Sequence, residues 1–130
     1  MGYIAFVLTE ESRKFLLETL PPVHPRVIAH HITLNFGVEQ ELLGMYPSRG
    51  ICYLRWHNWD EKAQVGVVTF SPIPGCPDMK CQPNGTLLHV TISIAEGVKP
   101  VYAGVLASYN SSVRKEVMPK VLCGNIKWFP

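Results

Sequence analysis

A chain of 130 residues fits one domain, 1–130, that can bury a core without metal or disulfide staples. Its 47% hydrophobic and 17% charged residues exclude a disordered chain or a coiled coil. A formal net charge of +2 excludes a surface that coats nucleic acid through its overall field, so a phosphate ligand would need a local site.

Tyr3–Leu8 is a continuous apolar run of aromatic and branched residues and predicts a buried strand. Thr9 is placed to cap a helix whose first turn carries Glu10 and Glu11, where carboxylates suit the positive end of the helix dipole. Phe15, Leu16, Leu17 and Leu20 supply its apolar face, and Pro21-Pro22 ends it. A second strand follows at Val27–Phe36, then one or two helical turns at Glu39–Met45. Gly50–Trp56 and Gln64–Ser71 predict strands joined by a polar turn at His57–Lys62. Pro72–Gly85 is rich in proline and predicts a loop. Thr86–Ile94 is the next strand, Val101–Val117 has a broken helical pattern, and Val121–Trp128 predicts a final strand. Strands interrupted by one clear helix give an α+β chain with a largely antiparallel sheet.

The apolar start of the chain has no basic leader and runs straight into acidic residues, so a signal peptide or membrane span is not expected. Cytoplasmic location and no obligate protein partner are the expectation. Of the four cysteines, Cys76 and Cys81 stand close together in the loop without a second Cys/His pair, so free thiols are expected rather than zinc.

The informative feature is an internal echo. His31-Ile32-Thr33-Leu34-Asn35-Phe36 and His89-Val90-Thr91-Ile92-Ser93-Ile94 each carry His-x-Thr within alternating apolar positions. Side chains alternate along a strand, so His31, Thr33 and Asn35 are expected on one face, and His89, Thr91 and Ser93 on one face of the second. Cleaving a phosphodiester in line requires one group to deprotonate the attacking oxygen and one to protonate the leaving oxygen. Imidazole can do either near neutral pH. Hydroxyls two residues along can donate to the phosphoryl oxygens. His31 and His89 are thus the candidate catalytic pair, and Thr33 and Thr91 the candidate phosphate ligands. Neither cofactor nor metal is needed.

This pair of motifs resembles the 2H phosphoesterase superfamily, whose mark is two His-x-Thr/Ser motifs on strands. The order of strand, helix and first motif strand also agrees. The resemblance implies a single bilobal α+β domain with two pseudo-symmetric, largely antiparallel sheets flanking a central cleft. It also implies hydrolysis of a 2',3'-cyclic phosphate or a related nucleotide or RNA phosphodiester. The alternative is a non-catalytic module on the same fold that binds a nucleotide or RNA end.

Around the pair, Tyr3, Trp56 and Trp128 are candidate substrate contacts, Trp56 within an aromatic and cationic segment suited to stacking a base. Lys80, Lys99 and Arg114 are candidate phosphate neighbours. His30 alternates out of phase with His31 and is expected on the opposite face, while His24 and His57 are expected at the surface.

Overall fold

The computed structural model describes residues 2–70, 86–108 and 113–130. The elements run β1 (Gly2–Leu8), α1 (Glu10–Thr19), β2 (Arg26–Val27), β3 (His31–Val38), a 3-10 segment (Gln40–Met45), β4 (Arg49–Trp59), β5 (Ala63–Phe70), β6 (His89–Ile94), α2 (Tyr102–Ser108) and β7 (Val113–Phe129). The Cys76/Cys81 loop and Lys80 lie outside the described residues.

All seven strands belong to one sheet, ordered β2-β6-β3-β1-β7-β4-β5, and β5 returns to pair with β6. Six strands thereby close an antiparallel barrel, and β2 runs beside β6 just before β3 begins. The two separate sheets expected from the sequence are replaced by this ring. The reason is β7, whose long run pairs with β1 on one side and β4 on the other. Its first residues, expected to continue a helix, extend this pairing instead, with Val113 opposite Trp59 and Glu116 opposite Trp56. Closure removes the sheet edges that would otherwise invite pairing with other chains.

The interior is filled by alternate residues of each strand. Ile4, Phe6, Ile32, Leu34, Cys52, Leu54, Val68, Val90, Ile92, Leu122 and Ile126 form one buried cluster. Burying each large side chain contributes about 1.5–3 kcal/mol, so this cluster is the main source of stability. There is no room to spare: a Cβ on Gly66 would stand 2.7 Å from Leu54 Cδ1 and 3.3 Å from Val90 Cγ1. Helix α1 starts where expected, with Thr9 Oγ1 accepting from the Ser12 N–H at 3.1 Å. Leu16 and Leu20 join the interior, whereas Phe15 stays 40% exposed.

A second cluster lies on the outer face of the barrel, where α2 sets Ala103, Leu106 and Ala107 against Ala63, Val65 and Val67 of β5 and Ile94 of β6. Asn58 is fully buried beneath it and donates from Nδ2 to the Leu106 carbonyl at 3.1 Å. Among the described residues no helix is long and apolar enough to cross a membrane.

Candidate active site

β3 and β6 are neighbours, joined through the ladder pair Ile32↔Val90. Those two side chains point into the barrel, so the flanking residues point outward. The antiparallel register sets His31 across from Thr91 and Thr33 across from His89. The two imidazoles therefore lie diagonally, each facing the threonine of the other motif, and all four side chains share the outer face. A charge on His89 reaches His31 and helps to lower its pKa.

Each histidine is held by its Nδ1. His89 Nδ1 lies 2.7 Å from the Leu87 carbonyl, an acceptor, so Nδ1 carries the proton and Nε2 is the remaining nitrogen. Burial lowers its pKa, partly offset by that hydrogen bond. Helix α2 presses close here, since a Cβ on Gly104 would lie 3.8 Å from His89 Cε1. His31 Nδ1 instead meets His30 Nδ1 at 2.9 Å, one imidazole donating to the other. Burial is the first cause of a lowered His31 pKa, with charges on His30 and His89 adding to it.

His30 is thus beside His31 and exposed, rather than on the opposite face. Strand β3 begins only at His31, and Ala29 before it takes φ +42°, so strand alternation does not govern His30.

The expected phase fails a second time, identically in both motifs. Ala5 pairs with Thr33 but Ile4 pairs with Asn35, so Leu34 is an extra residue on β3. Val65 pairs with Thr91 but Gln64 pairs with Ser93, so Ile92 is an extra residue on β6. Such a bulge re-aims every side chain after it. Asn35 turns away from His31 and donates to the Tyr46 hydroxyl at 3.4 Å. Ser93 turns away from His89, is fully buried, and donates to Gln64 Oε1 at 2.6 Å. Neither third polar residue shares the face of its histidine, contrary to the sequence expectation.

The residues after the bulges come out instead. Phe36 stacks on Tyr3 with ring centroids 5.9 Å apart, and Tyr3 stacks on Phe129 at 5.1 Å. Tyr3 lies 5.8 Å from His31 and Phe129 6.5 Å, so both rings border the site.

The expected tryptophan contacts do not border it in this way. Trp128 pairs with Ile4, on the inner side of β7, and donates from Nε1 to the Val38 carbonyl at 2.9 Å. Its neighbour Phe129 takes the outer position, one residue out of the phase expected. Trp56 is half-buried and packs against the α2 cluster. Arg55 of the same segment donates to Thr69 Oγ1 at 2.9 Å.

His57 and His24 are half-buried and hydrogen-bonded rather than free at the surface. His57 lies within β4, 3.0 Å from Gln64 Nε2, and burial lowers its pKa to about 4. The His24 ring meets the Asp60 carbonyl at 2.8 Å. Of the candidate phosphate neighbours, Lys99 is exposed in the turn before α2, and the side chain of Arg114 lies outside the described residues. Among the described residues no group of three or more His, Cys, Asp or Glu could hold a metal ion.

No family model and no curated protein matches this sequence. Among solved structures, that of a fungal RNA kinase superposes with a TM-score of 0.58 over 95% of this chain at 12% identity. This chain spans only 41% of that kinase chain. At such identity the likeness is one of fold.

Sequence reading missed Phe36 and Phe129 at the site, and missed His30 as a partner of His31. The signal for Phe129 was weak: the terminal Trp-Phe pair admits either phase. Phe36 followed from the bulge, which leaves no mark in composition.

Proposed function

We propose that this chain is a metal-independent phosphodiesterase that hydrolyses a 2',3'-cyclic phosphate, or a related nucleotide or RNA phosphodiester, between His31 and His89. The observation carrying this reading is the diagonal set of His31, Thr33, His89 and Thr91 on the outer face of two adjacent strands, with both imidazoles fixed through Nδ1. That arrangement suits a single phosphoryl group, with one imidazole on either side and one hydroxyl beside each. The RNA-kinase likeness is compatible with chemistry at RNA ends.

In the reaction, one neutral imidazole accepts a proton from water as the water oxygen bonds to phosphorus. The bond from phosphorus to a ribose oxygen breaks, and the second imidazole, protonated beforehand, gives that oxygen its proton. A proton passing back between the two through solvent restores the starting state. The threonine hydroxyls donate to the phosphoryl oxygens, whose charge grows in the transition state. Because one imidazole must be neutral and the other charged, turnover has a bell-shaped pH profile.

The test is incubation of the full chain with 2',3'-cyclic mononucleotides, in EDTA, with product analysis. Hydrolysis that survives EDTA supports the reading. Abolition by chelator and recovery with zinc would replace it with a metal mechanism, and saturable binding without turnover would favour the binding module.

A further inference from the structure

We infer that Lys127 and Arg49 form a second phosphate site on the same face as the two histidines, so that the preferred substrate carries a phosphate on the 5' oxygen of the ribose whose phosphodiester is cut. This rests on the reading above and names a feature of the substrate which that reading leaves open.

The residues around the scissile phosphate supply little fixed charge. Burial lowers the pKa of both imidazoles, and the threonine hydroxyls are neutral. The four consecutive strands that carry and flank them, β5, β6, β3 and β1, contain no Lys, Arg, Asp or Glu. Crossing the outer face from β3 over β1, the first permanent charge is met on β7. Thr33 pairs with Ala5, and Ala5 with Lys127. One row along, His31 pairs with Val7, Val7 with Asn125, and Asn125 with Arg49 of β4. Directly paired residues share a face, and Ile126 between Asn125 and Lys127 joins the barrel interior. Lys127, Asn125 and Arg49 therefore stand on the same outer face as the site, and all three are exposed.

Spacing decides which phosphate the two cations can meet. Lys127 lies two strands from Thr33, about 10 Å between Cα atoms by strand geometry, and the scissile phosphate lies farther still, between β3 and β6. The lysine stem covers part of that distance and leaves its ammonium short of the scissile group. In a nucleotide the next phosphate is one ribose away, on the 5' oxygen, and a group so placed falls within the gap. Only the methyl group of Ala5 stands between Thr33 and Lys127, so β1 raises no wall there. Arg49 and Lys127 are diagonal neighbours across β4 and β7, about 7–8 Å apart, within reach of one anion. Their register neighbours on this face, Ala5, Val7 and Asn125, bear no carboxylate. The two cations thus repel each other, and an anion between them turns that repulsion into attraction.

The experiment compares adenosine 2',3'-cyclic phosphate with the same compound bearing a 5'-phosphate, and with the dinucleotide in which that phosphate links a second adenosine. In the unmodified chain kcat/KM is expected to favour the 5'-phosphorylated compound, by a margin that shrinks as salt rises. Lys127→Ala and Arg49→Ala should each reduce the margin about 3- to 10-fold, and Lys127→Arg should keep it. Lys62→Ala, which removes an equal charge from the β4–β5 turn, should leave it unchanged. A gain with the dinucleotide as well assigns the site an internal phosphate, and a gain with the 5'-monophosphate alone assigns it a terminal one. Equal kcat/KM with and without the 5'-phosphate, a gain with the dinucleotide alone, or an equal loss on all compounds in Lys127→Ala would overturn the second site while leaving the phosphodiesterase reading intact. If no compound is hydrolysed, that reading fails, and binding decides the site. Adenosine 3',5'-bisphosphate should then bind more tightly than adenosine 3'-monophosphate, with the difference lost in Lys127→Ala. Equal affinities would count against it.

Discussion

At the level of single residues, the chemistry rests on two imidazoles that are held differently. His31→Ala and His89→Ala are each expected to cut turnover by about two to four orders of magnitude, since each removes a proton-transfer role. The double variant should be little worse than either alone, because the pair acts as a unit. Thr33→Ala or Thr91→Ala should cost about one to three orders through loss of a donor. Steady-state rates on a cyclic mononucleotide check all five, and an active His31→Ala variant would sink the mechanism. The His30 contact adds a separate prediction. Among the described residues, His30, His89 and Tyr3 are titratable groups beside His31, and of these His30 and His89 lower its pKa by charge. Removing His30 therefore raises the His31 pKa toward its ordinary value. If His31 is the base, the acid limb of the pH profile moves to higher pH; if it is the acid, the alkaline limb does. His30→Ala also loses the hydrogen bond that holds the ring, a cost of about 2- to 10-fold in rate. His30→Asn should recover the rate, because an amide can replace the hydrogen bond, yet keep the moved limb, because it carries no charge. Profiles unchanged in both variants would show that His30 has no role in positioning His31.

At the level of elements, the strands beyond the two motifs show where the sequence was readable and where it was not. Alternation correctly placed His31 to Leu34 and His89 to Ile92, because an in-phase apolar residue in a barrel wall has nowhere to go but inward. It failed at Asn35 and Ser93 because a bulge is a backbone event, and both residues found polar partners that only the folded chain brings close. For Ser93 that partner is Gln64, itself fully buried, and its hydrogen-bonding capacity is filled. Its Oε1 accepts from Ser93 Oγ and from the Val23 N–H, and its Nε2 lies 3.0 Å from both the Pro21 carbonyl and His57 Nε2. One side chain thus ties the α1–β2 connection, β4 and the second bulge together. Gln64→Ala leaves several buried groups without partners and is expected to cost about 2–4 kcal/mol in chemical denaturation. It should also lower turnover by loosening β6 just beyond Thr91, which lies across from His31. A loss below about 0.5 kcal/mol would show that water replaces these bonds and that the bulge stands without them.

At the level of the whole molecule, closure of the barrel could not be read from local patterns, because it depends on which strands β7 joins. Tyr3 pairs with Phe129 and Arg49 with Asn125, contacts between residues far apart in sequence that no period announces. β7 also departs from a plain strand: between Leu54↔Lys120 and Trp56↔Glu116 it carries extra residues, Pro119 among them, where a missing N–H does least harm. Where β7 passes between both neighbours, Gly124 sits opposite Leu8 on one side and Gly50 on the other. A Cβ there would lie 2.5 Å from the Val7 carbonyl oxygen and 2.6 Å from the Phe6 ring. The carbonyl is tied into the sheet and cannot rotate away as a side chain would, so Gly124→Ala must part β7 from β1. Opening that seam releases the ring that holds β3 beside β6. The expected loss is about 2–4 kcal/mol, at or above the upper end of ordinary overpacking, in a single unfolding transition. Gly44→Ala is the matched control, since a Cβ at Gly44 meets nothing within 4 Å, and should change stability by less than about 0.5 kcal/mol. Equal midpoints for the two variants in urea would mean that β7 adjusts freely at this crossing, and that the barrel is not the unit that keeps the two histidines together.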